Sequence, residues 1–128
     1  MQLRLDTIIF YVRDVPRLAA FYTGILGLNI TETIEDQWVL LQAGTCSIGL
    51  HRVGDAYRNT SSTAQQSNTK IVFETSEDLQ LLRQTLLDKG VSMRELKTFD
   101  NYDYWLCDGE DPEGNVFQLK QRKKSNYL

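Results

Sequence analysis

The sequence predicts an α+β fold made of two βαβββ modules. Two observations carry this expectation: a strand–helix–three-strand order occurs in each half of the chain, and apolar residues fall level when the halves are superposed. Size agrees with it. The 128 residues amount to about one domain, and a chain of that length buries roughly two-thirds of its unfolded surface without staples.

The elements follow from local chemistry. Leu3 to Val12 is β-branched and aromatic and reads as a strand. Asp14 can cap a helix that tolerates Pro16 in its early turn. Leu18, Phe21, Tyr22 and Ile25 then recur at helical spacing, and Gly24 and Gly27 end that helix. Three strands follow, Leu28 to Ile34, Gln37 to Gln42 and Cys46 to Val53, separated by turn signals at Glu35-Asp36 and Gly44-Thr45. The polar stretch 54–68 has no hydrophobic period and reads as a loop, either a lid or a linker.

The second half opens with a strand at Lys70 to Thr75. Ser76 can cap a helix, with Glu77 and Asp78 favourable at its positive end. Leu79, Leu82, Leu86 and Leu87 form its apolar face, and Lys89-Gly90 its stop. Val91 to Leu96, Tyr102 to Cys107 and Asn115 to Gln121 complete the module, the last preceded by the turn Asp111-Pro112-Glu113-Gly114. Ile8-Ile9-Phe10 aligns with Ile71-Val72-Phe73, and Trp38-Val39-Leu40 with Trp105-Leu106-Cys107. An internal duplication is the reading, with repeats at about 3–53 and 69–121 inside one domain, 1–128.

Composition excludes several classes. The 14 basic against 17 acidic residues, a net charge of −3, argue against a chain built to neutralise nucleic-acid phosphates. The basic run Gln121-Arg122-Lys123-Lys124 is short enough to be a solvated tail. No apolar run nears the roughly 18 residues of a membrane span, and no secretory signal is visible at the start. Cys46 and Cys107 fit no zinc spacing. A reducing, cytoplasmic setting is expected.

Three segments carry a resemblance. They are Ile8-Ile9-Phe10-Tyr11-Val12-Arg13-Asp14, the run Phe21-Tyr22 with Gly24 and Leu26-Gly27-Leu28, and Asp111-Pro112-Glu113-Gly114-Asn115-Val116-Phe117. Over nearly the whole chain the sequence resembles the vicinal oxygen chelate superfamily, which includes glyoxalase I, extradiol dioxygenases, and fosfomycin- and bleomycin-resistance proteins. The resemblance implies two βαβββ modules that form a curled, barrel-like mixed sheet with helices on its outer face. It also implies a homodimer.

Enzymes of that superfamily commonly hold a divalent metal on the cavity face. Carried over by motif, the positions here are Thr7, His51, Lys70 and Gln118. A divalent ion wants several carboxylates or neutral imidazoles. The chain has one His in all, and a Lys ammonium repels the ion. No metal and no other cofactor is expected. An oxygen site involving Glu74 is a weaker option. His51, within the alternating Ser47-Ile48-Gly49-Leu50-His51, reads either as a hydrogen-bonded strand residue or as a ligand contact with orienting or acid–base work.

Strand alternation sorts the remaining side chains. Ile8, Phe10, Val12, Ile71, Phe73, Phe117 and Leu119 should pack against the helices. Thr7, Tyr11, His51, Lys70, Glu74, Gln118 and Lys120 share the other, mixed face, which suits the lining of a small-molecule site. Trp38, Trp105, Tyr102 and Tyr104 add aromatic surface, for stacking or for core and interface. The expected ligand-binding residues are Thr7, Tyr11, Trp38, His51, Lys70, Trp105 and Gln118. The leading expectation is a metal-free binding protein of the bleomycin-resistance type, with its ligand unidentified and neither nucleic acid nor membrane as partner. The alternatives are a metal-dependent lyase, isomerase or dioxygenase with a degenerate site, a metal-free variant of such an enzyme in which Lys70 stabilises an enolate and His51 acts as base, and an interaction module without ligand.

Overall fold

The computed structural model describes residues 1–2, 4–54 and 69–124. The chain divides into two compact units, Met1–Thr63 and Ala64–Leu128. Leu3 and nearly all of the polar stretch 54–68, with its choice between lid and linker, lie outside the described residues.

In the first unit, β1 (Thr7–Val12) leads into helix α1 (Val15–Ala20), which widens into a π-helical turn at Phe21–Ile25. Asp14 caps α1: its carboxylate accepts from Arg17 N at 3.1 Å, and a proline stands in the first turn. The helix passes through Gly24 within that π-helical turn and stops at the second expected glycine, Gly27. The Leu26 N–H reaches back five residues to Phe21 O, and Gly27 then turns the chain at φ 79. Leu18, Phe21 and Tyr22 are all buried, as their spacing requires. Strands β2 (Asn29–Ile34), β3 (Trp38–Ala43) and β4 (Cys46–Arg52) complete a sheet of order β1-β4-β3-β2. Its β1–β4 pair is parallel and the others antiparallel.

The second unit has the same order and sense. Its strands are β5 (Ile71–Glu74), β6 (Ser92–Met93), β7 (Tyr104–Glu110) and β8 (Val116–Arg122), in the order β5-β8-β7-β6. The expected α+β fold of two modules is therefore observed, as two mixed four-stranded sheets not closed into a barrel. Helix α2 (Leu79–Asp88) packs on β6, β7 and β8. Its cap is Asp78, not Ser76: the Asp78 carboxylate accepts from Leu81 N at 3.1 Å. The side-chain oxygen of Gln121, from β8, accepts from Leu79 N at 2.7 Å. A tertiary partner thus satisfies another open N–H of the first turn, which a local sequence pattern does not reveal.

The expected strand Val91 to Leu96 shrinks to Ser92–Met93. Met93 pairs with Gly109 and Lys97 with Leu106. One strand thus advances four residues while its neighbour advances three, so the ladder is interrupted in the manner of a bulge. The turn before β8 is built on buried Asp111. One of its oxygens accepts from Glu113 N and Asn115 N, each at 2.9 Å, and the other from Asn115 Nδ2 at 2.8 Å. Gly114 takes φ 84 there, a conformation that favours glycine.

In each unit one sheet face is covered by its helix and the other is not. Val12, Ile48 and Leu50 are buried on the covered face of the first sheet, Phe117 and Leu119 on that of the second. Ile9, Tyr11 and Val72 stand exposed on the opposite faces. The sorting by strand alternation holds.

Register corrects the superposition of the halves. With Ile8 level with Ile71, the partners Ile48 and Phe117 are level, then Leu41 and Gly109, and so Trp38 with Leu106 rather than Trp105. A one-residue slip moves a side chain to the other face of a sheet. Trp38 accordingly stands on the uncovered face opposite His51, while Trp105 pairs with Gln121 on the helix-bearing face.

Candidate functional site

The uncovered face of the first sheet presents an aromatic cluster. Register places Tyr11 and Trp38 on either side of His51, in β1 and β3. The ring centroids of Tyr11 and Trp38 lie 5.3 and 5.9 Å from that of His51. The Trp38 indole lies over Gly49, where a Cβ would collide with the ring. The His51 Nδ1 is 2.7 Å from the Arg52 carbonyl oxygen. A carbonyl only accepts, so Nδ1 carries the proton, and Nε2 is the acceptor of the neutral ring. The cluster offers apolar area, one acceptor and one phenol.

Thr7 does not join it. It pairs with Ser47, four residues along β1 from Tyr11, which is about 13 Å at strand rise. Its hydroxyl donates to Asp6 at 2.7 Å. His51 also departs from its expected place. The residue of the first sheet level with Gln118 is Gly49, and the one level with Lys120 is His51. The slip of two residues keeps His51 on the uncovered face but moves it about 7 Å along the strand.

The second sheet holds the most strongly organised polar group, and sequence reasoning missed its centre. Asp108, in β7, has a side chain only 7% exposed. Its Oδ2 accepts from Lys70 Nζ at 2.9 Å and its Oδ1 from Gln118 Nε2 at 2.9 Å. Lys97 Nζ and Arg94 Nη1 stand 3.7 and 3.8 Å from Oδ2, and Arg94 also pairs with Glu110 at 3.1 Å. Burial by itself would raise the Asp108 pKa. Hydrogen bonds from Lys70 and Gln118, with the charges of Lys70 and Lys97, outweigh it and hold the carboxyl below its ordinary value. Asp108 is thus an anion that gathers three cations. The predicted strand ended at Cys107, one residue short of it. The available signal was a charged residue alternating with Leu106 on a strand face, which demands partners when buried.

Lys70 and Gln118 come together here as expected, but on Asp108. Trp105 does not join them. It is 39% exposed beside a cleft of about 480 Å³ near α2, shared with Arg83, Glu95 and Gln121. Tyr104 is on the uncovered face, opposite Arg122, with Lys120 Nζ 4.3 Å from its ring centroid. Glu74 is opposite Lys120.

These positions do not fit a divalent metal. The Lys70 ammonium is a cation committed to Asp108, and the Gln118 amide, whose N–H is tied to the same carboxylate, leaves one neutral carbonyl oxygen where a divalent ion needs several acceptors. Gly49, level with Gln118, supplies no side chain. Among the described residues no group of three His, Cys, Asp or Glu side chains is placed to hold an ion. No helix among them is long and apolar enough to cross a membrane.

Residues 4–119 match the model of the Glyoxalase/Bleomycin resistance protein/Dioxygenase superfamily. The chain belongs to that superfamily. Solved structures agree on the fold. A lactoylglutathione lyase from Agrobacterium tumefaciens is 15% identical with TM-score 0.72, the match covering 92% of each chain. An antibiotic binding protein from a Streptomyces species is 17% identical with TM-score 0.71, covering 95% of this chain and 98% of its own. An integron cassette protein from the mobile metagenome of V. cholerae is 22% identical with TM-score 0.72, covering 96% and 98%. No curated protein sequence matches the chain significantly.

Proposed function

We propose that this protein is a metal-free binder of a small organic molecule, a single domain of two modules acting as a cytoplasmic homodimer. The observation that carries this reading is the use of Lys70 and Gln118. At positions where enzymes of the superfamily commonly present metal ligands, this chain presents a cation and a neutral amide, each already donating to buried Asp108. Taken each by itself, the uncovered faces have features of a binding surface: apolar and aromatic area at Ile9, Tyr11 and Trp38 on the first sheet, and the fixed polar groups Lys70, Gln118 and Asp108 beside exposed Val72 on the second. The likeness in fold to an antibiotic binding protein is compatible with it, and the free thiols Cys46 and Cys107 suit a reducing compartment.

Metal content tests the reading. Pure protein is dialysed separately against nickel, zinc, manganese and ferrous iron, freed of excess, and assayed for metal per chain. Near-zero occupancy with all four is expected. Stoichiometric metal that disappears in His51→Ala or Gln118→Ala would overturn the proposal and direct attention to lyase and dioxygenase assays.

A further inference from the structure

The uncovered face of the second sheet carries more positive charge than its own structure uses. Lys70, Arg94, Lys97, Lys120 and Arg122 stand there against Glu74, Asp108 and Glu110. These described residues leave an excess of cations on one face of a chain whose net charge is −3. The excess is organised. Asp108 is buried, while the Lys70, Lys97 and Arg94 side chains around it remain 40%, 47% and 56% exposed. Its oxygens accept from Lys70 and Gln118. Lys97 and Arg94 Nη1 lie beyond hydrogen-bond range of it, and Arg94 is held from its other side by Nη2 donating to Glu110 at 3.1 Å. An ammonium has three N–H donors and a guanidinium five, so these groups keep donors to spare, and side chains drawn to a common point lose less freedom when they grip a ligand.

From this geometry we infer that the ligand is a small organic oxyanion, a carboxylate, phosphonate or phosphate, whose charged group sits on Lys70, Lys97 and Arg94 above Asp108. The inference rests on the binding reading given above and names its ligand class. The organic body has a path from there. Leu106 and Tyr104 follow Asp108 on the same face at two-residue steps, a run of about 13 Å that ends at an aromatic ring with Lys120 over it. Asp108 does not repel such a ligand from the front, because its carboxylate lies beneath the cations and its charge is spent holding them.

The test is an amide NMR titration of the full-length protein with three probes of one shape: phenyl phosphate, benzyl alcohol and benzylamine. Inorganic phosphate and added salt serve as further arms. Phenyl phosphate is expected to saturate at millimolar concentration and to move the amides of Leu106, Asp108 and Gln118. Lys97→Ala should weaken it by about tenfold, the scale of one charged hydrogen bond, and Lys89→Ala should leave it unchanged. Lys97 is half-exposed, so its variant tests binding without risking the fold; its amide spectrum verifies that directly. Saturable binding of benzyl alcohol or benzylamine on these faces with none of phenyl phosphate overturns the oxyanion and leaves the binding reading standing. No saturable shift with any probe overturns both. Equal effects of inorganic phosphate and phenyl phosphate, spread over many surface lysines and abolished by modest salt, mean diffuse screening only and also overturn the inference.

Discussion

Gly49 is a residue whose identity the sheet dictates. It lies beneath the Trp38 indole, and an added methyl group would occupy the space of the ring. Gly49→Ala is expected to push Trp38 away from His51 and to destabilise the fold by about 1–3 kcal/mol, as overpacking does. Urea unfolding measures the loss, and Trp38 emission in a Trp105→Phe background reports the displaced ring. Asp108 is dictated differently, by charge. Its pKa lies below the ordinary carboxylate value because its partners Lys70, Gln118 and Lys97 outweigh its burial. A carboxyl with a depressed native pKa contributes stability above its unfolded pKa and loses it as pH falls through the native one. Asp108→Asn should therefore be less stable at neutral pH by roughly 1–3 kcal/mol, toward the low end because the half-exposed lysines and Arg94 are solvent-screened once released. The difference should vanish in acid below the carboxylate range. Melting curves of both proteins across that range check it, and a gap that persists at the acid end would rule out the charge argument. Both residues are in plain view in the sequence. What was not legible is that Gly49 has an indole above it and that Asp108 lies inside its strand, because both depend on neighbours distant in sequence.

At the scale of elements, α2 shows how local and distant chemistry combine. Its leucine spacing and its Lys89-Gly90 stop were legible, and Leu79 and Leu86 are buried as that spacing requires. The cap was misplaced by two residues because Ser76 and Asp78 can both cap by type, and tertiary packing chooses between them. Asp78→Ala is expected to cost about 1 kcal/mol, with Ser76→Ala close to neutral, and comparison of their thermal midpoints separates the two caps. The strands show the same division. Alternation assigned the two faces of β1, β5 and β8 correctly. It could not assign Trp105 relative to Trp38, because a repeat alignment off by one residue has the right composition and the wrong face. The same limit moved His51 two places from Gln118's level. Local residue types specify strand existence, whereas hydrogen-bond pairing specifies register.

For the whole molecule, the proposed homodimer predicts that sedimentation equilibrium returns twice the chain mass; a single-chain mass would remove that part of the reading. The sequence by itself determined the α+β class and the element order of both halves, because hydrophobic periodicity and turn chemistry are local properties written along the chain; membership of the superfamily is carried by its motif segments and the family match over residues 4–119. The sequence also showed that the chain has a single histidine, which limits imidazole ligands because that number is a matter of composition. Tertiary structure alone decided the centre of the site. Asp108 is joined to Lys70 across 38 positions of sequence and to Arg94 through a strand interrupted after Met93. Whether a buried carboxylate is a fault or the anchor of a cation cluster depends on which charges surround it in space. Strand pairing and packing supply that information, and no pattern along the chain does.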